Sequence, residues 1–287
     1  MAIGACYKSV VSIASAHTLP DNRTGPYGSA WHYRDLLSRL VRRDIEARFR
    51  GSVLGKVWVF LIPLAMLGLY TFVFGVVIQP RWQDSARSNV EIALTYFSGL
   101  ILFDFVFECV SRAPGLMLEH VNYIKKVVFP VEILAWMVLF GSAFRLAIGS
   151  ILLLAFYFFA AGLPPPSALF VPLILAPLAL FAIGSVWFLS ALGVYIRDIK
   201  QLIIVIAPIA MFLSPVFFPL SAVPEVFRAY FYLNPLTYPL ESVRAALFVG
   251  HWTPTTGFTV YCASSLIFSW LGYLTFMRLR FGFADVL

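Results

Sequence analysis

The chain has 287 residues, of which 61% are hydrophobic, 17% aromatic and only 12% charged, with a formal net charge of +7. A soluble domain has about a quarter of its residues charged, so this composition and a mean hydropathy of +0.87 exclude a soluble globular protein and indicate an integral membrane protein. The basic excess flanks apolar runs rather than forming a nucleic-acid patch, and Cys6, Cys109 and Cys262 are too scattered for a disulfide framework or a metal site.

Residues 1–30 read as a flexible tail, polar from 14 onward with Pro and Gly. Ala14-Ser15-Ala16 fits a signal cleavage site, but the apolar stretch before it is short and broken by Ser9 and Ser12, so no cleavage is expected. Residues 31–56 hold seven Lys/Arg, whereas 57–79 hold no charge. Tyr33, Leu36, Leu37, Leu40, Val41, Ile45 and Phe49 form one helical apolar stripe. Such a helix lies in the membrane interface plane. Its arginines, among them Arg39, Arg42, Arg43, Arg48 and Arg50, suit either anchoring to anionic lipid head groups or contact with the diphosphate of a lipid-linked substrate. The run Gly51-Ser52-Val53-Leu54-Gly55-Lys56-Val57 is one residue short of a phosphate-binding loop and has Val57 where a hydroxyl is required.

Six apolar spans follow within 57–287, at 57–79, 92–113, 133–160, 169–196, 202–220 and 257–277. Pro164-Pro165-Pro166 turns the chain between the third and fourth, since such a run lacks backbone donors. Pro208, Pro215 and Pro219 interrupt the fifth. Lys/Arg counts orient the chain: nine in 1–56, two in 114–130, two in 197–200 and two in the tail. The alternate loops 80–91, 161–168 and 221–256 hold two, none and two, partly balanced by Asp84, Glu91, Glu225 and Glu241. The expectation is an all-α protein of six transmembrane helices with both termini inside. Segment 221–256 reads as two short helices, the second ending at Gly250, suited to re-entrant or interfacial positions on the external side.

Three segments, RDIEARFRGSVLGKVWVFLIPLAMLGLYTFVFG (43–75), NYIKKVVFPVEIL (122–134) and SPVFFPLSAVPEVFRAYFYLNPLTYPLESVRAALFVG (214–250), occur in order. Together they resemble the permease subunit of ABC-2 type exporters, in the branch that exports O-antigen, teichoic acid and related polysaccharides. The resemblance implies a homodimer in the bacterial inner membrane, paired with a separate ATP-binding cassette ATPase that holds ATP and Mg. The chain itself would be no enzyme and hold no cofactor, and its cargo would be a lipid-linked polysaccharide of lipopolysaccharide biosynthesis. The resemblance also implies a coupling helix, containing Glu119, Asn122, Tyr123, Lys125 and Lys126, that seats in a groove of the ATPase, with a smaller contact from Arg197, Asp198 and Lys200.

Asp104 and Glu108 share one face of the second span, and Arg145 stands mid-way along the third. A charge at bilayer depth costs at least about 2.5–3.5 kcal/mol on insertion scales. These three therefore either pair, fixing one span against the next, or line a polar path for glycan. Phe217, Phe218, Tyr230, Tyr232, Tyr238 and Trp252 fit either an interfacial aromatic belt or flat surfaces at the channel exit. The alternative within the class is a permease for a drug, a lipid or another small amphiphile. A membrane glycosyl- or acyltransferase would need carboxylates or histidines gathered at one face, yet His17, His32, His120 and His251 are dispersed. The chain has no internal repeat of the kind that marks inverted-repeat transporters.

Overall fold

The computed structural model describes residues 25–48, 55–73, 89–126 and 129–286, and these are all-helical. A short helix α1 (Gly28–His32) precedes the arginine-rich amphipathic helix α2 (Arg34–Arg48), and a 3-10 turn (Gly55–Val57) leads into α3 (Trp58–Phe72). Then come α4 (Asn89–Glu119), α5 (Val121–Lys126), α6 (Ile133–Ala161) and α7 (Val171–Tyr195). The chain ends with α8 (Ile199–Phe212), α9 (Glu225–Phe231), α10 (Thr237–Arg244), α11 (Thr256–Leu279) and α12 (Phe283–Val286).

Among the described residues, four segments are long and apolar enough to cross a membrane: Val90–Glu119, Ile133–Ala161, Pro166–Tyr195 and Thr256–Gly282. At about 1.5 Å per residue, the 24 residues of α11 already exceed the roughly 30 Å of a hydrocarbon core. The 15 residues of α3 and 14 of α8 reach only about 21–23 Å. The first expected span is described to residue 73, and 74–88 lie outside the described residues.

Several boundaries differ from the sequence reading. The second helix does not stop at 113 but continues through Pro114 to Glu119. The backbone of α7 closes on this point, where a Cβ at Gly193 would fall 2.4 Å from the Pro114 carbonyl oxygen. Likewise Pro208 lies inside α8, which ends instead before Ser214-Pro215. Residues 25–30 are packed rather than part of a loose tail. The Trp136 indole donates to the Pro26 carbonyl at 3.3 Å, and the Tyr27 hydroxyl to Ser269 at 3.2 Å. Residues 1–24 of the expected tail lie outside the described residues.

The core is built around α7, whose Ile174, Leu178, Ala182, Ile183, Val186, Trp187 and Ala191 are fully buried. Trp187 meets Trp136 of α6 and Tyr273 of α11 edge-on, at 5.9 and 5.2 Å between centroids. Helices α7 and α11 touch backbone to backbone, since a Cβ at Gly272 would lie 2.3 Å from the Gly184 carbonyl oxygen. Small residues permit this approach, the usual basis of helix association in lipid. Outward, Phe60, Leu69, Ile204, Val205, Leu266 and Ile267 stay exposed, as a lipid-facing surface requires. The antiparallel helices sort the short elements to two ends. At one end α5 meets α2 and α12. At the other, Ser167 donates to the Ala246 carbonyl at 2.6 Å and joins the α6–α7 turn to the helix after α10.

Candidate functional site

Helix α2 turns Leu37 and Leu40 into the bundle, and this aims Asp44 and Arg48 of its last turns at α4 and α6. Asp44 accepts two bonds from Arg112, Nη2 to Oδ1 at 2.6 Å and Nη1 to Oδ2 at 3.1 Å, and a third from Arg48 Nη2 at 2.8 Å. Glu108 pairs with Arg48 through Oε1 and with Arg145 through Oε2, and Arg112 Nη1 is 3.8 Å away. Three arginines and two carboxylates from α2, α4 and α6 thus form one network. Gly141 of α6 leaves room for it: a Cβ there would sit 3.0 Å from Asp44 Oδ2 and 3.1 Å from Arg48 Nη2. Burial pushes the Asp44 carboxyl up, but the bonds and charges of Arg112 and Arg48 outweigh it and hold the group below its ordinary value.

This network redraws the grouping expected from sequence. Glu108 and Arg145 meet, whereas Asp104 is exposed one turn away, senses Arg145 through charge and makes no direct ion pair among the described residues. Arg48, grouped by sequence with the arginines suited to lipid head groups or a cargo diphosphate, is bound inward to Asp44 and Glu108. In the sequence, Asp44 and Arg112 are signalled solely by the i, i+4 spacing of Asp44–Arg48 and Glu108–Arg112, and Gly141 not at all. Arg39, Arg42 and Arg43 remain on the exposed side of α2, and Arg50 lies outside the described residues.

Arg43 links α2 to α5. Its Nη1 donates to the Tyr123 hydroxyl at 2.8 Å, and its guanidinium stands 5.7 Å over the same ring. Tyr123 also packs on His120 and Phe129, with centroids at 5.9 and 4.9 Å. His120 Nδ1 is 2.9 Å from the Leu116 carbonyl oxygen, and burial holds its imidazole below the ordinary histidine value. Asn122 is exposed on α5, and the side chains of Lys125 and Lys126 lie outside the described residues. Glu119 is the last residue of α4 rather than part of a loop, and with Arg197 and Lys200 it borders a cleft of about 210 Å3. Asp198 is exposed beside them, at the start of α8. The chain end closes on this region, with Arg280 Nη1 3.2 Å from Glu132 Oε2 and Phe283 buried against Phe276.

At the opposite end, the chain after α8 leaves carbonyls without helical partners, and two side chains take them. Arg244 Nη1 donates to Pro215 O at 2.6 Å, and its Nη2 to Val216 O at 2.5 Å. Asn234 Nδ2 donates to Leu213 O at 3.2 Å and Ser214 Oγ at 2.8 Å. Of the aromatics, Tyr230 and Tyr232 are exposed. Phe217 packs on Tyr70 and Phe212, Phe218 on Phe231, and Tyr238 on Tyr261. Trp252 departs from the expected lining set: it is buried between Phe170 and Phe258 and presents no open face within the chain.

Fold and charge placement define a multi-pass helical membrane protein. The sequence model of the ABC-2 type transporter family matches residues 35–248, from the start of α2 to the turn after α10, and the chain belongs to that family. It is therefore a transmembrane permease subunit of the bacterial inner membrane, with ATP bound by a partner ATPase rather than by this chain. Among its relatives is an O-antigen export system permease protein RfbA of Myxococcus xanthus, 25% identical over 89% of this chain and 96% of the relative. An RfbA of Klebsiella pneumoniae is 24% identical over 88% and 95%. A polysialic acid transport protein KpsM of Escherichia coli is 23% identical over 85% and 90%.

Proposed function

We propose that the chain forms the membrane path of an ATP-driven exporter for a lipid-linked, O-antigen-like polysaccharide, acting as a homodimer with two copies of an ATPase. The observation that carries this reading is similarity from end to end. Relatives named for O-antigen export align over 95–96% of their own length. In this reading α3 and α8 complete six spans with both termini cytoplasmic, and α2 lies in the cytoplasmic interface. At about 1.5 Å per residue, the 31-residue α4 and 29-residue α6 overrun the hydrocarbon by about 15 Å. The ion network then sits near the cytoplasmic boundary, where head groups and water relieve the cost of its charges. It acts as a clasp holding α2 to the spans.

Helix α5 is the coupling helix, docked on the ATPase and tied to α2 through Arg43 and Tyr123. Helices α9 and α10 flank the exit, with Tyr230 and Tyr232 offered to sugar rings. The test is co-expression with a candidate ATPase, followed by purification and ATP turnover. Lys125→Glu together with Lys126→Glu is expected to abolish complex formation and export while membrane insertion is retained. Normal export by that variant removes the coupling assignment. A chain that never recruits an ATPase sinks the whole reading.

A further inference from the structure

Between α2, α3 and α6 lies a cavity of about 960 Å3, towards the upper end of the roughly 300–1,000 Å3 of ligand pockets. Its walls are mostly apolar, with Val41 from α2, Val59 and Phe60 from α3, and Phe144 and Ile148 from α6. The charged groups of its lining are confined to one edge, where Arg34, Arg42 and Glu46 belong to a single i, i+4 stripe of α2. That edge has net charge +1. Arg34 stands 5.7 Å from the ring of Trp31, which is 76% exposed. Arg42 is exposed and holds Glu46 at 3.0 Å, an exposed i, i+4 pair weak enough for a phosphate to displace. The other edge of α2 faces the ion network, so the two edges have different work.

The occupant must join an apolar body to an anionic head. Helix α6 is long and apolar enough to cross the bilayer and α3 is apolar throughout, so the trough opens toward hydrocarbon, where acyl chains are at hand. We propose that this cavity is a binding site for one resident anionic phospholipid. Its acyl chains lie along Val59, Phe144 and Ile148, and its phosphate is held by the Arg34 and Arg42 guanidinium forks. The aromatic ring of Trp31 sits at head-group level, where interfacial tryptophans are enriched. The bound lipid holds α2 at the membrane surface and so steadies Asp44 and Arg48 on its far edge. The site is independent of the cargo.

The test uses the purified full chain in detergent, titrated separately with phosphatidylglycerol and phosphatidylcholine, with bound lipids counted by native mass spectrometry. One phosphatidylglycerol is expected per chain, held at least about tenfold more tightly than phosphatidylcholine. Arg34→Ala with Arg42→Ala brings the two lipids level, while Arg197→Ala with Arg278→Ala, outside the cavity, keeps the preference. Both pairs are surface changes that leave the fold intact. Ile148→Trp, which fills the trough, lowers occupancy by both lipids. Equal retention by the unaltered protein, or a preference that survives loss of Arg34 and Arg42, overturns the site. So does a lipid-free dimer in which a second copy covers the trough. Displacement of phosphatidylglycerol by a polyprenyl phosphate at about tenfold lower concentration gives the site to the cargo carrier and overturns the phospholipid assignment.

Discussion

Glu108 holds Arg48 of α2 and Arg145 of α6 on its two carboxylate oxygens, and its side chain is only 9% exposed. Its loss leaves Asp44 as the one carboxylate bonded to Arg48 and Arg112, and strips Arg145 of its ion pair. Removing one partner of a buried pair costs about 3–5 kcal/mol, and the 48% exposure of Arg145 places the loss toward the lower end. Glu108→Gln is therefore expected to lower the thermal midpoint of the solubilised protein clearly, while Glu225→Gln, on an exposed pair, leaves it unchanged. Two groups outside the spans contribute to the response to acid. The Asp44 carboxyl is held low when folded, so its contribution is present above the unfolded carboxylate range and is lost only below about pH 4. The His120 imidazole is also held low by burial, so folding favours its neutral form. Its contribution is lost earlier, as pH falls from the ordinary histidine value toward the folded one. Melting curves between about pH 7 and pH 5 should fall with acid, and His120→Gln should flatten that slope. The i, i+4 spacing around Asp44 and Glu108 was visible in the sequence. That these faces turn toward each other was not, because it depends on α2 seating at Gly141.

The break after α8 shows how an element end is stabilised. Pro215 lacks an N–H, and the carbonyls beyond Phe212 would be orphaned in a nearly dry setting. Arg244, placed by α10 and 8% exposed, spans two of them with its planar fork. A lysine ammonium cannot reproduce that geometry, and leaving a buried acceptor unpaired costs about 1–3 kcal/mol. Arg244→Ala, and to a smaller extent Arg244→Lys, should raise hydrogen exchange and proteolytic cutting across 213–224 without changing exchange in α7. Unchanged protection there would remove Arg244 as the staple. The short helices α9 and α10 were legible from composition and the Gly250 stop, where φ is +82°. Their fastening was not, since Arg244 lies 29 residues beyond Pro215.

For the whole molecule, the proposed topology places α5, the α7–α8 turn and α12 in the cytoplasm and α9 outside. A membrane-impermeant thiol reagent applied to whole cells tests it in a background with Cys6, Cys109 and Cys262 replaced by serine. Glu225→Cys should label and Arg197→Cys should not. Labelling in the reverse pattern inverts the orientation and would move the coupling helix to the wrong side. The membrane class, the basic amphipathic helix α2 and the family could all be read from the chain itself. Hydropathy and Lys/Arg bias act locally, and the bilayer reads them segment by segment.

Tertiary structure alone decided which charges meet, such as Arg48 with Glu108, 60 residues apart. It also turned Trp252 inward and carried α4 through Pro114. Those outcomes rest on how closely helices approach one another, and Gly141, Gly184 and Gly193 set that approach by the side chains they lack. Local sequence thus determined what enters the membrane. The fit of one helix against the next determined what each buried charge and ring touches once there.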